Sequence, residues 1–258
     1  MNAKPWITPR VDHALPSKFS FARAYKVEPL GANFLRVKLE SHDLSTYDDS
    51  SIHFRFVLPN RGGPTLWPTV AANGSIAWAE GDQAAHKPVY TARTVDHARN
   101  ELVVDVFIHE GGRTTDWALE IMAGETARAV VGLVGPSGGG LLTADQVLMG
   151  SDETGFPAVA RLLENLPETA MGHLYLEAEH GAACDYPLAP PGGIAVTWLS
   201  RANGDMLADV VIKAMPGHEG AHVWFAGERS EAMRVRDVAL KAGWDKETLR
   251  ISGFWRAA

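Results

Sequence analysis

Apolar and polar residues alternate along the first half of this chain and change period in the second. From Phe19 to Val27, the residues Phe19, Phe21, Tyr25 and Val27 fall on one side of an extended backbone, with Arg23 the exception. Phe34 to Leu39 and His53 to Leu58 alternate less strictly. Val89 to Val95 and Leu102 to Ile108 are rich in β-branched and aromatic side chains. Both patterns predict strands. Turn clusters separate them at Gly31-Ala32-Asn33, Asp96 to Asn100 and Gly111-Gly112. Short strands at such spacing predict a small antiparallel barrel. Thr115 to Met122 reads as the one helix of this half, and Thr126 to Val134 as its last strand. The stretch Asn60 to Lys87 holds Gly62-Gly63-Pro64, Trp67-Pro68 and Trp78. At that length it is expected to be functional or to carry short strands of its own.

After the run Gly135-Pro136-Ser137-Gly138-Gly139-Gly140, which reads as a linker, strands and helices take turns. Gln146 to Met149, His173 to Glu177, Gly193 to Leu199, His222 to Ala226 and Thr248 to Ser252 read as strands. Phe156 to Asn165, Asp205 to Met215 and Ser230 to Ala242 read as helices, the first with Pro157 in its opening turn. This alternation predicts a doubly wound parallel sheet. The expected fold class is therefore a β-barrel plus α/β, with a barrel domain at 1–137 and an α/β domain at 138–258.

Composition narrows the function classes. The chain has 258 residues, enough for two domains with full cores. Its net charge of −7 argues against nucleic acid or an anionic membrane as partner. A single cysteine, Cys184, makes no internal disulfide, no zinc site of Cys-x-x-Cys type and no iron–sulfur cluster. Electron transfer by this chain would need an added organic cofactor. No window approaches the roughly 20 apolar residues that span a bilayer, and Met1 to Pro16 lacks a signal-peptide core. A cytoplasmic chain without membrane insertion is expected.

Two motifs carry chemistry in the first half. Tyr90-Thr91-Ala92-Arg93 puts an aromatic ring, a hydroxyl and a guanidinium at a strand end. His109-Glu110-Gly111-Gly112-Arg113-Thr114-Thr115-Asp116-Trp117 joins a strand to a helix through a glycine turn. The unpaired amides and dipole at such a helix start favour a pyrophosphate, and Arg93 can add a charge-assisted bond. A flavin dinucleotide needs this set. The same turn also reads as an ordinary helix start with Thr114 or Thr115 as N-cap. In the second half, Gly150 to Pro157 follows a buried strand and opens a helix, where a nicotinamide dinucleotide would lie. It is not a Gly-x-Gly-x-x-Gly fingerprint, and acidic residues at a helix start explain it equally.

Five segments in order resemble one family: Tyr90-Thr91-x-Arg93; His109 to Trp117; Gly150-Ser151-Asp152-Glu153-Thr154-Gly155-Phe156-Pro157-Ala158; Trp224-Phe225-Ala226-Gly227-Glu228; and Ser252-Gly253-Phe254-Trp255-Arg256. The chain resembles the siderophore-interacting proteins, FAD-dependent ferric-siderophore reductases of the ferredoxin–NADP reductase-like superfamily, over about Phe19 to Arg256. The resemblance implies an FAD-binding barrel followed by an NAD(P)H-binding-like domain. It implies that Tyr90 packs on the flavin ring and Thr91 bonds to it. Arg93, Gly111, Gly112, Thr114 and Thr115 would hold the pyrophosphate, His109 would meet the ribose or adenine, and Trp255 would cover the flavin. Asp152, Glu153, Thr154 and Glu228 become nicotinamide candidates, although Glu228 also reads as an N-cap. Arg55 and Arg256 become candidates for an anionic siderophore. Arg201 is placed as a 2′-phosphate reader, or as a surface arginine. Family members often carry an arginine where this chain has Pro88; Lys87 stands beside it.

The expected activity passes electrons from NADPH or NADH, or from a ferredoxin, through FAD to siderophore-bound Fe(III). The cofactor carries that chemistry, so no catalytic side chain and no resident metal are expected. The expected partner is a ferric siderophore, and the chain is expected to act as a monomer. Two alternatives stay open: a flavin reductase with another acceptor (free flavin, quinone or haem protein), and a non-enzymatic siderophore-binding protein.

Overall fold

The computed structural model describes residues 6–61, 63–81 and 84–257. Gly62 of the glycine–proline turn and the first residues of the Met1 to Pro16 stretch lie outside the described residues. The chain forms two units, one holding residues up to Pro29 and Leu35–Gly140, the other Leu30–Phe34 and residues from 141 on.

The first unit is built from β1 (Phe19–Leu30), β2 (Phe34–Ser41), β3 (His53–Val57), β4 (Thr69–Val70), β5 (Ile76–Ala77), β6 (Val89–Thr91), β7 (Thr94–Asp96), β8 (Glu101–Phe107), α1 (Arg113–Met122) and β9 (Val130–Ser137). Seven strands make one sheet in the order β6-β3-β9-β1-β2-β8-β7, and β4 pairs with β5 inside the long connection. β6 and β7 stand at opposite edges of that order, yet only Ala92 and Arg93 join them. The sheet must therefore curl until its edges meet, which is a barrel. The join shows this directly: Ala92 N bonds to Ile52 O at 2.8 Å and Arg93 N to Val103 O at 2.9 Å.

Strand alternation sends Leu35, Val37 and Leu39 of β2, Phe54 and Phe56 of β3, and Leu102, Val104 and Val106 of β8 inward. Trp117, Ala118 and Ile121 of α1 pack onto the same core. Trp117 is fully buried, and its Nε1 donates to Arg128 O at 2.9 Å.

Three sequence expectations change here. Val89 to Val95 is two strands, because the backbone switches partner at Ala92. Thr126–Arg128 is a 3₁₀ turn, so the last strand begins at Val130. The glycine run is not wholly a linker, since β9 continues through Ser137 and pairs it with His53.

The second unit contains β10 (Gln146–Asp152), α2 (Phe156–Leu163), β11 (Met171–Ala178), β12 (Gly193–Ser200), α3 (Leu207–Ala214), β13 (His222–Glu228), α4 (Arg229–Lys241) and β14 (Leu249–Trp255). The sheet is parallel, in the order β12-β11-β10-β13-β14. Leu148, Val223 and Phe225 share one face with Leu207, Val211, Ala232 and Val235 of α3 and α4. Trp198 points from the other face, where Phe156 of α2 meets it edge-on at 5.6 Å. Helices thus cover both faces, and the strand order reverses direction between β10 and β13.

Candidate functional site

In the first unit the turn before α1 is set by its glycines. Gly111 adopts φ +71°, which costs an L side chain about 1–2 kcal/mol. At Gly112 a Cβ would stand 2.8 Å from the His109 ring and 2.8 Å from Thr115 Oγ1. Gly112, not a threonine, is the N-cap of α1, and no side chain caps the first turn. The threonine hydroxyls point inward instead. Thr115 Oγ1 donates to Phe107 O at 3.2 Å, and Thr114 shares a hydrogen bond with Tyr90. The expected Thr114 or Thr115 cap is thereby corrected. Both hydroxyls fasten the turn, and no side chain caps the amides of the first helical turn, as an anion site requires.

The Tyr90–Thr114 bond ties the two sequence motifs together. The Tyr90 ring is half-buried, edge-on to Phe56 at 5.9 Å, and desolvation pushes its hydroxyl up to about 12. Thr91 is buried, with Oγ1 3.3 Å from His53 Nδ1. Arg93 is buried too, its Nε 4.0 Å from Asp105, which Arg36 grips at 2.7 Å through two bonds. His109 is exposed and its ring lies over Phe107 at 6.0 Å. Arg55 donates to Lys87 O at 2.7 Å, and Lys87 Nζ lies 5.3 Å from the Trp78 ring centre.

In the second unit, Asp152 ends β10 and is buried. It accepts from Thr154 N at 2.9 Å and from Trp255 Nε1 at 2.6 Å. Desolvation raises its carboxyl to about 6, against those hydrogen bonds. Glu153 is also buried, and Arg201 donates to it at 2.8 Å while bonding to Glu177 at 3.0 Å. Arg201 therefore knits carboxylates together and is neither a plain surface arginine nor a group held out for a phosphate. Glu228 is the N-cap of α4, accepting from Ser230 N and Glu231 N. Trp255 and Arg256 are both exposed. Cys184 is a buried free thiol. Among the described residues no group of three His, Cys, Asp or Glu could hold a metal, and no helix is long and apolar enough to cross a membrane.

Residues 23–140 match the siderophore-interacting FAD-binding domain, and residues 144–258 match the siderophore-interacting protein domain. The chain belongs to the siderophore-interacting protein family. It is 28% identical to a ferric vibriobactin reductase of Vibrio cholerae, across 88% of this chain and 84% of the relative. It is 27% identical to an NADPH-dependent ferric-chelate reductase of Escherichia coli, over the full length of both. The siderophore-interacting protein SipS of Aeromonas hydrophila has the same fold, with TM-score 0.73, 20% identity, and coverage of 93% of this chain and 99% of the other.

The turn before α1 fits the FAD that this family's first domain binds: no side chain caps the first helical turn, and a Cβ at Gly112 would crowd His109 and Thr115. Sequence reasoning missed His53 beside Thr91, and Asp105 with Arg36 beside Arg93. All three sit in strands whose alternation marks them as ordinary face positions. A carboxylate among the inward residues Val104 and Val106 was the one available signal, since a buried acid demands a partner.

Proposed function

We propose that this member of the siderophore-interacting family is an FAD-dependent ferric-siderophore reductase that draws electrons from NADPH or NADH, or alternatively from a ferredoxin, and releases Fe(II) in the cytoplasm. The observation that carries the reading is the uncapped, glycine-built start of α1, fastened to Tyr90 through Thr114, inside a matched FAD-binding domain. The names of two relatives, a ferric vibriobactin reductase and an NADPH-dependent ferric-chelate reductase, support the acceptor and the donor.

When bound, FAD supplies the redox chemistry between a two-electron donor and a one-electron ferric acceptor. The residues of the chain bind and orient. The turn from Gly111 to Thr115 would hold the pyrophosphate together with Arg93, and Thr114 and Thr115 keep the turn in shape. Tyr90 and Thr91 would set the place of the ring system, and His109 would face the ribose or adenine. In the domain from 138 to 258, the ends of β10 and β13, with Asp152, Glu153, Thr154 and Glu228, form the nicotinamide side. Since the Glu153 carboxylate is taken by Arg201, its contribution is to shape that side rather than to contact a ligand. Arg55 and Arg256 attract an anionic siderophore, and cations at a site mouth raise capture rates.

The test is reduction of a ferric catecholate by the flavin-loaded monomer, with Fe(II) trapped by a ferrous-specific chelator and NADPH, NADH or reduced ferredoxin as donor. Fe(II) formation with one of these donors is expected. Absence of Fe(II) with all three would refute the reading.

A further inference from the structure

Thr91 and His53 face each other across the pairing of β3 with β6. Thr91 is 4% exposed, and its Oγ1 stands 3.3 Å from His53 Nδ1. The backbone around the imidazole leaves room for it. At Gly138 a Cβ would come within 2.9 Å of His53 Cδ2, so the ring occupies the space that a side chain there would fill. Pairing of β3 with β9 slips between His53 and Arg55, and such a bulge re-aims a side chain. Ser137 and Gly138 are exposed. Nδ1 and Cδ2 lie on opposite edges of the ring, so the imidazole reaches from a buried hydroxyl to an exposed stretch of chain.

A threonine hydroxyl donates one proton and accepts through two lone pairs, while Nδ1 of an imidazole either donates or accepts. The pair therefore has two arrangements. In one, Nδ1–H donates to Oγ1 and the hydroxyl proton points elsewhere. In the other, the hydroxyl donates to Nδ1 and Oγ1 is open to accept. A flavin uses both, since its ring accepts a hydrogen bond where it is oxidised and carries a proton there once reduced. A reduced flavin that gives two electrons to two Fe(III) also releases one proton. Threonine alone cannot keep that proton, because an alcohol gains one only by passing its own on. An imidazole exchanges protons near neutral pH.

We propose that His53 exchanges protons with the bound flavin through the Thr91 hydroxyl. The inference rests on the reading that Thr91 bonds to the FAD ring. As the two electrons leave for Fe(III), Thr91 Oγ1 takes the ring's proton while its own O–H proton passes to His53 Nδ1. One O–H bond forms and one breaks at Thr91, His53 gains one N–H bond, and water then takes a proton from the imidazole. A ferredoxin donor would run the same path inward, because electrons that arrive without hydrogen leave the ring to collect its proton. His53 acts through Thr91 and is in that sense a positioning residue.

The experiment is ¹⁵N NMR of the FAD-loaded protein labelled at histidine, with FAD first oxidised and then reduced by dithionite. His53 gives the resonances missing from His53→Gln, and their shifts report which ring nitrogen carries a proton. Nδ1 should carry a proton beside oxidised FAD and accept from Thr91 beside reduced FAD. In Thr91→Val the two spectra should match at His53. Reoxidation of the flavin by ferricyanide, which takes electrons and no proton, is a second readout that needs neither siderophore nor nucleotide. It should slow in D2O for the natural chain and fall about 10²-fold in His53→Gln, the lower end of what a positioned proton acceptor contributes. Added imidazole should restore His53→Ala but not Thr91→Val. An Nδ1 that keeps one state in both spectra, or a natural rate in His53→Gln, overturns the relay. The FAD affinity of Thr91→Val separates this outcome from the reading beneath it. A failed relay with weakened FAD binding leaves Thr91 at the flavin, whereas unchanged affinity and absorption in Thr91→Val remove both.

Discussion

At Gly112 the backbone comes within side-chain distance of both His109 and Thr115, and this one position decides whether the start of α1 can cradle a phosphate. A methyl group there would sit 2.8 Å from the His109 ring and from Thr115 Oγ1. Real Cβ atoms essentially never come so close, so the exposed His109 ring would have to swing aside and the Thr115 hydroxyl to turn away. Thr115 Oγ1 bonds to Phe107 O and His109 N, and turning it away breaks that pair of bonds that fastens the turn. Gly112→Ala should therefore weaken FAD binding about ten-fold or more, the order of one to two charge-assisted hydrogen bonds. Quenching of FAD fluorescence on titration measures it. Unchanged affinity would move the pyrophosphate away from this turn.

Among the elements, α1 depends on Trp117, whose ring meets Phe56 edge-on at 5.1 Å while Nε1 satisfies Arg128 O. Trp117→Phe removes the donor, leaves a part-buried carbonyl unmet and opens a gap beside Phe56. A loss of about 1–3 kcal/mol follows, read from the denaturant midpoint, and FAD content should fall with it because α1 carries the turn. An unchanged midpoint would mean that α1 is anchored elsewhere. Elements were also the scale at which the sequence was most legible. β2 announced itself by alternation, β8 by its β-branched and aromatic residues, and α4 by its helical period and by Gly243 just past its end. The break at Ala92 was not legible, because a strand that changes partner keeps the same composition on both sides of the change. The N-cap was misread for a related reason. Thr114 and Thr115 have the right chemistry for a cap, but the inward pull of Tyr90 and Phe107 O decides where their hydroxyls go, and neither partner lies within the turn itself. Arg201 was unreadable in the same way, since Glu153 and Glu177 lie 48 and 24 residues from it.

For the molecule as a whole, the order of motifs carried more than any motif alone. Each of the five segments has an ordinary structural explanation, and Glu228 turned out to have one, as the cap of α4. Their sequence from barrel to parallel sheet pointed to the family, which matches from residue 23 to the end. Charge is distributed at this scale too. The net charge is −7, yet from Arg229 onward seven Lys or Arg face four Asp or Glu. That local excess accords with the proposed role of the exposed Arg256 toward an anionic ferric complex. The central claim, an FAD-dependent reductase, is tested most directly by the visible absorption spectrum of the purified protein before and after anaerobic addition of NADPH or NADH. The account predicts oxidised-flavin bands that bleach with one of the two nucleotides and return when a ferric siderophore is added. A protein that shows no flavin bands even after FAD is supplied would contradict it.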